Sequence, residues 1–242
     1  MVSETMKEAS KIISDAEYLI ALTGAGVSRE SNVPTFRGVD GLWRNYDPME
    51  LATPHAFARN PKLVWEWYSW RQGLISECEP NQAHTTFAEW EANGILSYLI
   101  TQNVDGLHRR AGSEKVLEVH GDLWATKCTS CSFHGRLDLP AKGIPLCPEC
   151  DRMLRPDVVW FGESLDRRIM TRVYDELASA DVILVVGTSA LVQPAASFPL
   201  VVKQSGGKIL EANIEHTPLT PASDVHVSGK AGEVLPLLDQ LL

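Results

Sequence analysis

Four of the five cysteines form two Cys-x-x-Cys pairs, Cys128 with Cys131 and Cys147 with Cys150, whereas Cys78 stands alone. Fifteen residues separate the two pairs. Two such pairs at this distance are typical of a zinc ribbon, in which four thiolates surround one zinc ion tetrahedrally. Because thiolates would fill all four positions, we predict a structural zinc site. Two reducible disulfides are the alternative, and they fit poorly in a chain that we expect to be cytoplasmic.

A glycine-rich stretch, GAGVSRESNVPTFRG at 24–38, follows an apolar run at 18–23. A strand that breaks into Gly-x-Gly-x-Ser can bring backbone N–H groups up to a phosphate, which makes Gly24, Gly26 and Ser28 candidate phosphate contacts. Glycine pairs are also common in ordinary turns. This motif alone leaves both interpretations open.

Two further positions could carry chemistry. Tyr68 and Arg71 are three residues apart in KLVWEWYSWRQGLI, a segment for which Asn60 and Pro61 predict a helix start. A phenol beside a guanidinium on one helix face suits a carboxylate ligand, although a surface pair has the same spacing. His120 ends an apolar run and could act as a base near neutral pH, but a lone histidine there is more often a satisfied core residue.

The elements that would position these residues are short apolar runs separated by helix-like segments. The runs at 18–23, 96–102, 116–120, 181–187 and 208–213 predict parallel strands covered on both faces, with buried helix segments as the alternative. Helices are predicted at 3–16, with Ser3 as N-cap, at 166–179 and at 190–204. This alternation predicts an α/β fold with a doubly wound, mainly parallel Rossmann-like sheet.

Each predicted strand ends in glycine or polar residues, namely TGAG, QNVD, HG, GTS and NIE. Ligands of doubly wound sheets bind at the carboxyl ends of the strands. Five polar ends that converge on one edge therefore predict a ligand site there.

The composition argues against two classes of protein, those that bind nucleic acids and those that span membranes. The 242 residues are 44% hydrophobic and 22% charged, with a net charge of −9, and this acidic balance argues against direct nucleic-acid binding. No apolar run approaches the roughly 20 residues that a membrane-spanning helix needs. We expect a cytoplasmic, monomeric protein without membrane association.

Seven motifs together resemble the sirtuins, the NAD-dependent protein-lysine deacylases. They are the glycine stretch 24–38, TQNVDGLH at 101–108, EVHG at 118–121, the cysteine pairs, VVWFGE at 158–163, GTSALVQPAA at 187–196 and NIE at 213–215. The resemblance spans about residue 12 to residue 231, in the manner of the small bacterial and archaeal members. Asn32 departs from the family's usual glycine, but asparagine tolerates left-handed backbone and should preserve the loop.

The resemblance implies three units and two cofactors. It implies a Rossmann-like NAD-binding domain formed by 1–38, 95–121 and 156–242, a helical insertion at 39–94 and a zinc-ribbon module at 122–155. NAD is consumed as a cosubstrate, and one structural zinc is expected. The implied NAD contacts are Gly24, Ala25, Gly26, Ser28, Thr35, Phe36, Arg37, Trp43, Gln102, Asn103, Val104, Asp105, Gly187, Thr188, Ser189, Asn213, Ile214, Glu215 and Ala231.

The resemblance also implies a mechanism. The acyl oxygen of the modified lysine attacks the ribose carbon that carries nicotinamide, and nicotinamide leaves. His120 and Asn103 are the implied catalytic residues. His120 deprotonates the ribose hydroxyls, and the products are free lysine and 2′-O-acyl-ADP-ribose. Pro34–Arg37 would form a flap in which Phe36 shields the reacting carbon and which becomes ordered when NAD binds.

The acylated-lysine protein or peptide would pair along an extended strip at 158–163, with Trp160 and Phe161 walling the acyl-lysine tunnel. The implied substrate contacts are Tyr68, Arg71, Val158, Val159, Trp160, Phe161, Gly162 and Glu163.

The Tyr-x-x-Arg spacing resembles the sirtuin class that prefers succinyl, malonyl or glutaryl groups, so a desuccinylase and demalonylase with some deacetylase activity is expected. A plain deacetylase, a mono-ADP-ribosyltransferase and a non-enzymatic NAD-binding adaptor are the alternatives. A redox dehydrogenase would not account for the helical insertion or for the zinc-ribbon insertion.

Overall fold

The computed structural model describes residues 3–35, 47–136 and 140–242, and within these it contains two β-sheets. The strands are β1 Leu19–Thr23, β2 Leu96–Thr101, β3 Val116–Glu118, β4 Gly121–Cys128, β5 His134–Arg136, β6 Leu154–Val158, β7 Val182–Val186, β8 Lys208–Asn213 and β9 Val225–Ser228. The helices are α1 Glu4–Ser14, α2 Pro48–Leu51, α3 Pro54–Arg59, α4 Pro61–Ser76, α5 Gln82–Ala92, α6 Leu107–Arg110, α7 Arg167–Ser179, α8 Phe198–Gln204 and α9 Ala231–Asp239.

The larger sheet has the order β3-β2-β1-β7-β8-β9, and every neighbouring pair is parallel. The strand order reverses between β1 and β7, which lie side by side although about 160 residues separate them. Ligands of doubly wound sheets bind at such a reversal. The glycine stretch begins there, directly after Thr23.

Apolar residues cover both faces of this sheet. In β1, Leu19 and Ala21 pack with α1, α5 and α9, whereas Ile20 and Leu22 pack on the opposite face with α7 and α8. All five residues of β1 are buried. A strand covered on both faces has no solvent side, which explains why its sequence is apolar without alternation.

The smaller sheet, β5-β4-β6, is antiparallel and shares a second core with α2, α3 and α4. Trp65 of α4 packs in this core, and its Nε1–H donates to the Leu154 carbonyl at 2.9 Å. Cys147 lies in the same core. The cysteine region and the helices of residues 48–76 are therefore held by common packing. The division into three units stays a prediction.

The predicted fold class is confirmed, and all five predicted strands are present within one or two residues of their expected bounds. Ser3 caps α1 as expected, since its Oγ accepts from the N–H of Met6. The helix predicted at 190–204 is wrong in its first half. Only Phe198–Gln204 is α-helical, because Ala190 has φ of +52° and Pro194 disfavours the α conformation in the residue before it.

Strand β9 has no counterpart among the predicted strands. Its four residues alternate in burial and include the polar His226 and Ser228, so it lacks the continuous apolar pattern of the inner strands. No helix in the described parts of the chain is long and apolar enough to cross a membrane.

Candidate active site

The glycine stretch leaves β1 and packs tightly against the end of β7. The N–H groups of Gly24 and Gly26 donate to the carbonyls of Val186 and Gly187 at 3.1 and 2.8 Å. A Cβ added at Gly26 would lie 2.6 Å from the Gly187 oxygen, and one at Gly24 would lie 2.8 Å from Thr188 Cα. These two N–H groups are therefore already bonded within the protein, and the contact of the loop with a phosphate stays a prediction. The two glycines permit close approach of the loops after β1 and β7.

The middle of this stretch confirms the expectation for Asn32, which adopts φ of +64° and ψ of +18° after a 3-10 turn at Arg29–Ser31. Asparagine tolerates this left-handed conformation better than most residues because its short side chain can hydrogen-bond locally. The backbone turn that usually requires glycine is thus retained.

Ser28 is the centre of a buried polar cluster beneath the loop. Its Oγ donates to Asp105 Oδ2 at 2.7 Å and accepts from Asn103 Nδ2 at 3.1 Å. His84 Nδ1 accepts from the N–H of Asn81, so we infer that its Nε2 carries the proton and donates to Ser28 Oγ at 3.3 Å. Burial lowers the pKa of His84 to about 4. A neutral histidine therefore fixes the serine hydroxyl, whose hydrogen points to the carboxylate.

Asp105 is itself buried, and desolvation raises its pKa although hydrogen bonds from the Leu107 N–H and Ser28 Oγ act in the opposite direction. The predicted residues Asn103, Val104 and Asp105 all follow β2 and are all buried. The strand end thus holds an amide, a hydroxyl and a carboxyl in one connected network.

His120 lies just after β3, where the chain passes into the smaller sheet. Its Nδ1 is 3.1 Å from the carbonyl oxygen of Gln102, which can only accept, so Nδ1 carries the proton and Nε2 has a free lone pair. The carbonyl of His120 accepts from the Val159 N–H at 2.9 Å. The ring is therefore held in the tautomer that a base requires, with its backbone tied to the segment after β6.

Across the reversal, the ends of β2, β7 and β8 are joined through Thr188. Gln102 Nε2 donates to Thr188 Oγ1 at 3.0 Å, and Asn213 Nδ2 donates to the Thr188 carbonyl at 2.8 Å. Ser189, Ile214 and Glu215 are exposed beside them, and Ala231 begins α9. The structure thus brings together predicted residues of three strand ends.

Tyr68 and Arg71 lie on α4 and are buried, with 1% and 4% of their surface exposed. The interpretation of a surface pair is therefore wrong. Tyr68 Oη accepts from Trp160 Nε1 at 2.9 Å, and the Arg71 guanidinium lies 5.0 Å from the centre of the Trp67 ring. Burial raises the pKa of Tyr68 and lowers that of Arg71. Both groups are polar donors inside an aromatic environment.

The segment 158–163 is not a continuous extended strip. Strand β6 ends at Val158, and the N–H of Glu163 donates to the Trp160 carbonyl at 3.0 Å across a turn in which Gly162 has φ of +85°. Trp160 is buried, whereas Phe161 is 42% exposed and lines an open groove of about 560 Å³ beside α2 and α3. The pairing of this segment with a substrate peptide stays a prediction.

The four sulfur atoms of Cys128, Cys131, Cys147 and Cys150 lie within 4.8 Å of one another. A zinc ion with bonds of about 2.3 Å to each thiolate would hold them at nearly this spacing, about 3.8 Å apart. Partial burial acts to raise the pKa of Cys128, but the N–H groups of Cys131 and Ser130 donate to its sulfur and hold the pKa at about 6. The donor set thus fits a structural zinc ion.

Comparisons with known proteins agree with this geometry. The model of the Sir2 family matches residues 24–194. The chain belongs to the Sir2 family. An NAD-dependent protein deacylase of Pyrococcus furiosus is 53% identical over 96% of this chain and 95% of its own length.

Two solved structures of relatives with bound ligands are similar to this Sir2 chain. A crystal structure of a Sir2 homolog–NAD complex has 52% sequence identity and a TM-score of 0.92, covering 97% of this chain and 93% of the other. Sir2Tm bound to a propionylated peptide has 28% identity and a TM-score of 0.86, covering 97% of each chain. These similarities and the cysteine geometry confirm the predictions of an NAD-dependent protein deacylase and of a zinc-ribbon cysteine group.

Three of the NAD contacts predicted for this Sir2 chain, Phe36, Arg37 and Trp43, lie outside the described residues, as does half of the predicted flap at 34–37. Thr35 is described and half-buried. Sequence reasoning missed His84, whose signal was weak because it lies on α5, far from any strand end. The spacing of Asn81 and His84, as N-cap and third helical residue, was the available clue.

Removal of the metal is expected to destabilise this Sir2 protein, because Cys147 belongs to the core that α4 also forms. For Cys147→Ser we expect loss of one bound zinc per chain and a fall in Tm of roughly 10 °C, which corresponds to several kcal/mol. Metal analysis and differential scanning fluorimetry measure both quantities. Cys78→Ser, which replaces a buried thiol outside the cluster, is the control. Loss of zinc from the control variant would contradict the assigned ligand set.

The pH dependence of the Sir2 reaction should report His120. Burial lowers the pKa of His120, while its hydrogen bond to the Gln102 carbonyl acts in the opposite direction. A base must be neutral, so activity is lost as the pH falls through this pKa. We expect the acid limb of kcat/KM to have its midpoint below about 6.5, the ordinary histidine value. A midpoint above that value would contradict this environment for His120.

Proposed function

We propose that this chain removes acyl groups from protein lysines with NAD as cosubstrate and prefers succinyl and malonyl groups, while retaining some deacetylase activity. Membership of the Sir2 family and relatives named NAD-dependent protein deacylases support the reaction. The observation that carries the acyl preference is the buried Tyr68–Arg71 pair beside Trp160.

A buried guanidinium favours an anionic ligand. Arg71 remains a cation at any physiological pH, although burial lowers its pKa. A charge inside a protein is stabilised by an opposite charge with good hydrogen-bond geometry, and the planar guanidinium fork matches a carboxylate. A succinyl or malonyl group ends in such a carboxylate, whereas an acetyl group ends in a methyl.

The reaction needs a base near the ribose, and we assign this role to His120. NAD supplies the ribose carbon that accepts the acyl oxygen. His120 Nε2 takes the proton from a ribose hydroxyl, while its Nδ1–H stays bonded to the Gln102 carbonyl. Asn103, Asp105 and Ser28 form a prearranged polar network whose groups match the hydroxyls and carboxamide of a nicotinamide riboside.

The proposed NAD contacts remain those at the strand ends, together with the 24–28 loop and the first turn of α9. Buried hydroxyl and amide groups at the reversal of strand order support this placement. We propose acylated-lysine proteins or peptides as partners, entering beside Phe161. A relative is known bound to a propionylated peptide, which supports an acyl-peptide substrate without reporting on acidic acyl groups.

The test is a set of peptides of one sequence that carry acetyl-, propionyl-, succinyl-, malonyl- or glutaryl-lysine, each incubated with and without NAD. Mass spectrometry should detect free lysine, nicotinamide and acyl-ADP-ribose only when NAD is present, with the highest kcat/KM for succinyl or malonyl. ADP-ribose attached to protein would indicate the transferase instead. NAD binding without any turnover would indicate an adaptor.

A further inference from the structure

We propose that Trp160 positions the Tyr68 hydroxyl as a hydrogen-bond donor to the carboxylate of an acidic acyl group. This inference rests on the proposed acidic-acyl preference. It gives Trp160 a role in substrate selection beyond that of an aromatic wall. The role depends on the indole N–H and not on the size of the ring.

The hydrogen bond between the two side chains has only one possible direction. An indole N–H is a donor and cannot accept, so Tyr68 Oη must accept from Trp160 Nε1 at 2.9 Å. The remaining hydroxyl hydrogen of Tyr68 is then left for another acceptor. Trp160 is 2% exposed and Tyr68 is 1% exposed, so water does not compete for this bond.

A second set of contacts fixes the indole itself. The guanidinium carbon of Arg155 lies 3.3 Å from the centre of the Trp160 ring, and Phe57 packs at 5.4 Å. Glu163 Oε2 accepts from the backbone N–H of Trp160 and from Arg155 Nη2, both at 2.9 Å. The ring and its backbone are therefore held by one ion pair, which leaves the indole little freedom to turn away from Tyr68.

The stacked cation also strengthens the donor. A guanidinium over the face of an indole draws on the electrons of the ring, which makes the N–H more positive and its hydrogen bond stronger. Tyr68 stays protonated because burial raises its pKa. Tyr68 and Arg71 lie on one face of α4, so a carboxylate would meet two neighbouring donors, of which the Tyr68 hydroxyl is oriented before it binds.

The consequence is a selectivity that the indole N–H controls. An acetyl group has no carboxylate to accept from the Tyr68 hydroxyl, so the Trp160–Tyr68 bond should contribute little to the binding of acetyl-lysine. An acidic acyl group would lose part of its binding when the hydroxyl can rotate. Loss of one such oriented hydrogen bond to a charged group corresponds to roughly a tenfold change in kcat/KM.

The experiment measures kcat/KM for succinyl- and acetyl-lysine peptides of one sequence in a double-mutant cycle of Trp160→Phe and Tyr68→Phe. We expect Trp160→Phe to lower the succinyl-to-acetyl ratio about tenfold when Tyr68 is present and to leave the ratio unchanged in the Tyr68→Phe background. Trp90→Phe is the control, because the Trp90 Nε1–H is also bonded in a buried site, to Asp239 on α9.

A second variant separates the N–H from the packing of the ring. Benzothienylalanine at position 160 replaces the N–H with sulfur and keeps the shape of the indole, so it tests the inference even if Trp160→Phe folds poorly. We expect the same fall in the ratio. An unchanged ratio, or an equal fall in the Tyr68→Phe background, would overturn the role of Trp160. A wild-type protein without acidic preference would instead overturn the proposed function, and that result is visible before any variant is made.

Discussion

Replacement of His120 with alanine is expected to lower kcat by about 10²- to 10⁴-fold, the usual contribution of a general base. Within the part of the chain that the structure describes, the side chain makes one hydrogen bond, from Nδ1 to the Gln102 carbonyl, and this bond fixes the tautomer that leaves a lone pair on Nε2. Water that fills the vacated space is a much weaker base. The measurement is steady-state turnover with saturating NAD and acyl-lysine peptide.

Two controls show whether this loss is chemical. Calorimetric titration with NAD should give a Kd within a few-fold of the wild type, because His120 is not needed to hold the polar network around Ser28. His134→Ala changes a histidine of β5 that is exposed and bonded to Asp157, and it should keep full turnover. Equal turnover in wild type and His120→Ala would contradict the assignment of His120 as the base.

The strands that the sequence predicted correctly are those for which burial on both faces determines the residue types. A strand such as β1 is covered on both faces, so the continuous apolar run LIALT matches its environment. Strand β4 is different. Its burial pattern places only Leu123 and Thr126 fully inside, so the sequence GDLWATKC carries no clear period. Its pairing with β6 follows from contacts that no local pattern encodes.

The site shows the same limit. Motif order placed Asn103, Asp105 and His120 at strand ends, and the structure confirms this placement because parallel strands bring their carboxyl ends to one edge. His84 joins the same network from α5, and only folding brings it to Ser28. The glycines were assigned to phosphate because the motif suggests it, whereas their N–H groups bond to β7 and the following loop.

The Tyr68–Arg71 pair lies between these cases. Spacing alone places both residues on one face of α4, but it does not distinguish a surface pair from a buried one. The buried environment of Tyr68 includes Trp160, which is 92 residues further along the chain and donates a hydrogen bond to Tyr68. A chemical interpretation of the pair therefore needed the tertiary structure.

Replacement of Arg71 with methionine is expected to reverse the acyl preference. Methionine fills a similar volume without charge, so a succinyl carboxylate would be buried without its cation. Hydrogen bonds to charged groups are worth about 1.5–3 kcal/mol, so kcat/KM for a succinyl-lysine peptide should fall roughly 10- to 150-fold. The value for the acetyl-lysine peptide should fall far less, because a methyl group needs no charged partner.

The same measurement on three further variants identifies the property that matters. Arg71→Lys keeps the charge but not the planar fork, so it should recover only part of the succinyl activity. Tyr68→Phe should lower the succinyl value by a smaller factor, since it removes one neutral donor. Arg168→Met changes an exposed arginine of α7 and should alter neither value. If Arg71→Met lowered both activities equally, the guanidinium would serve the structure of α4, and the carboxylate specificity would have to reside elsewhere.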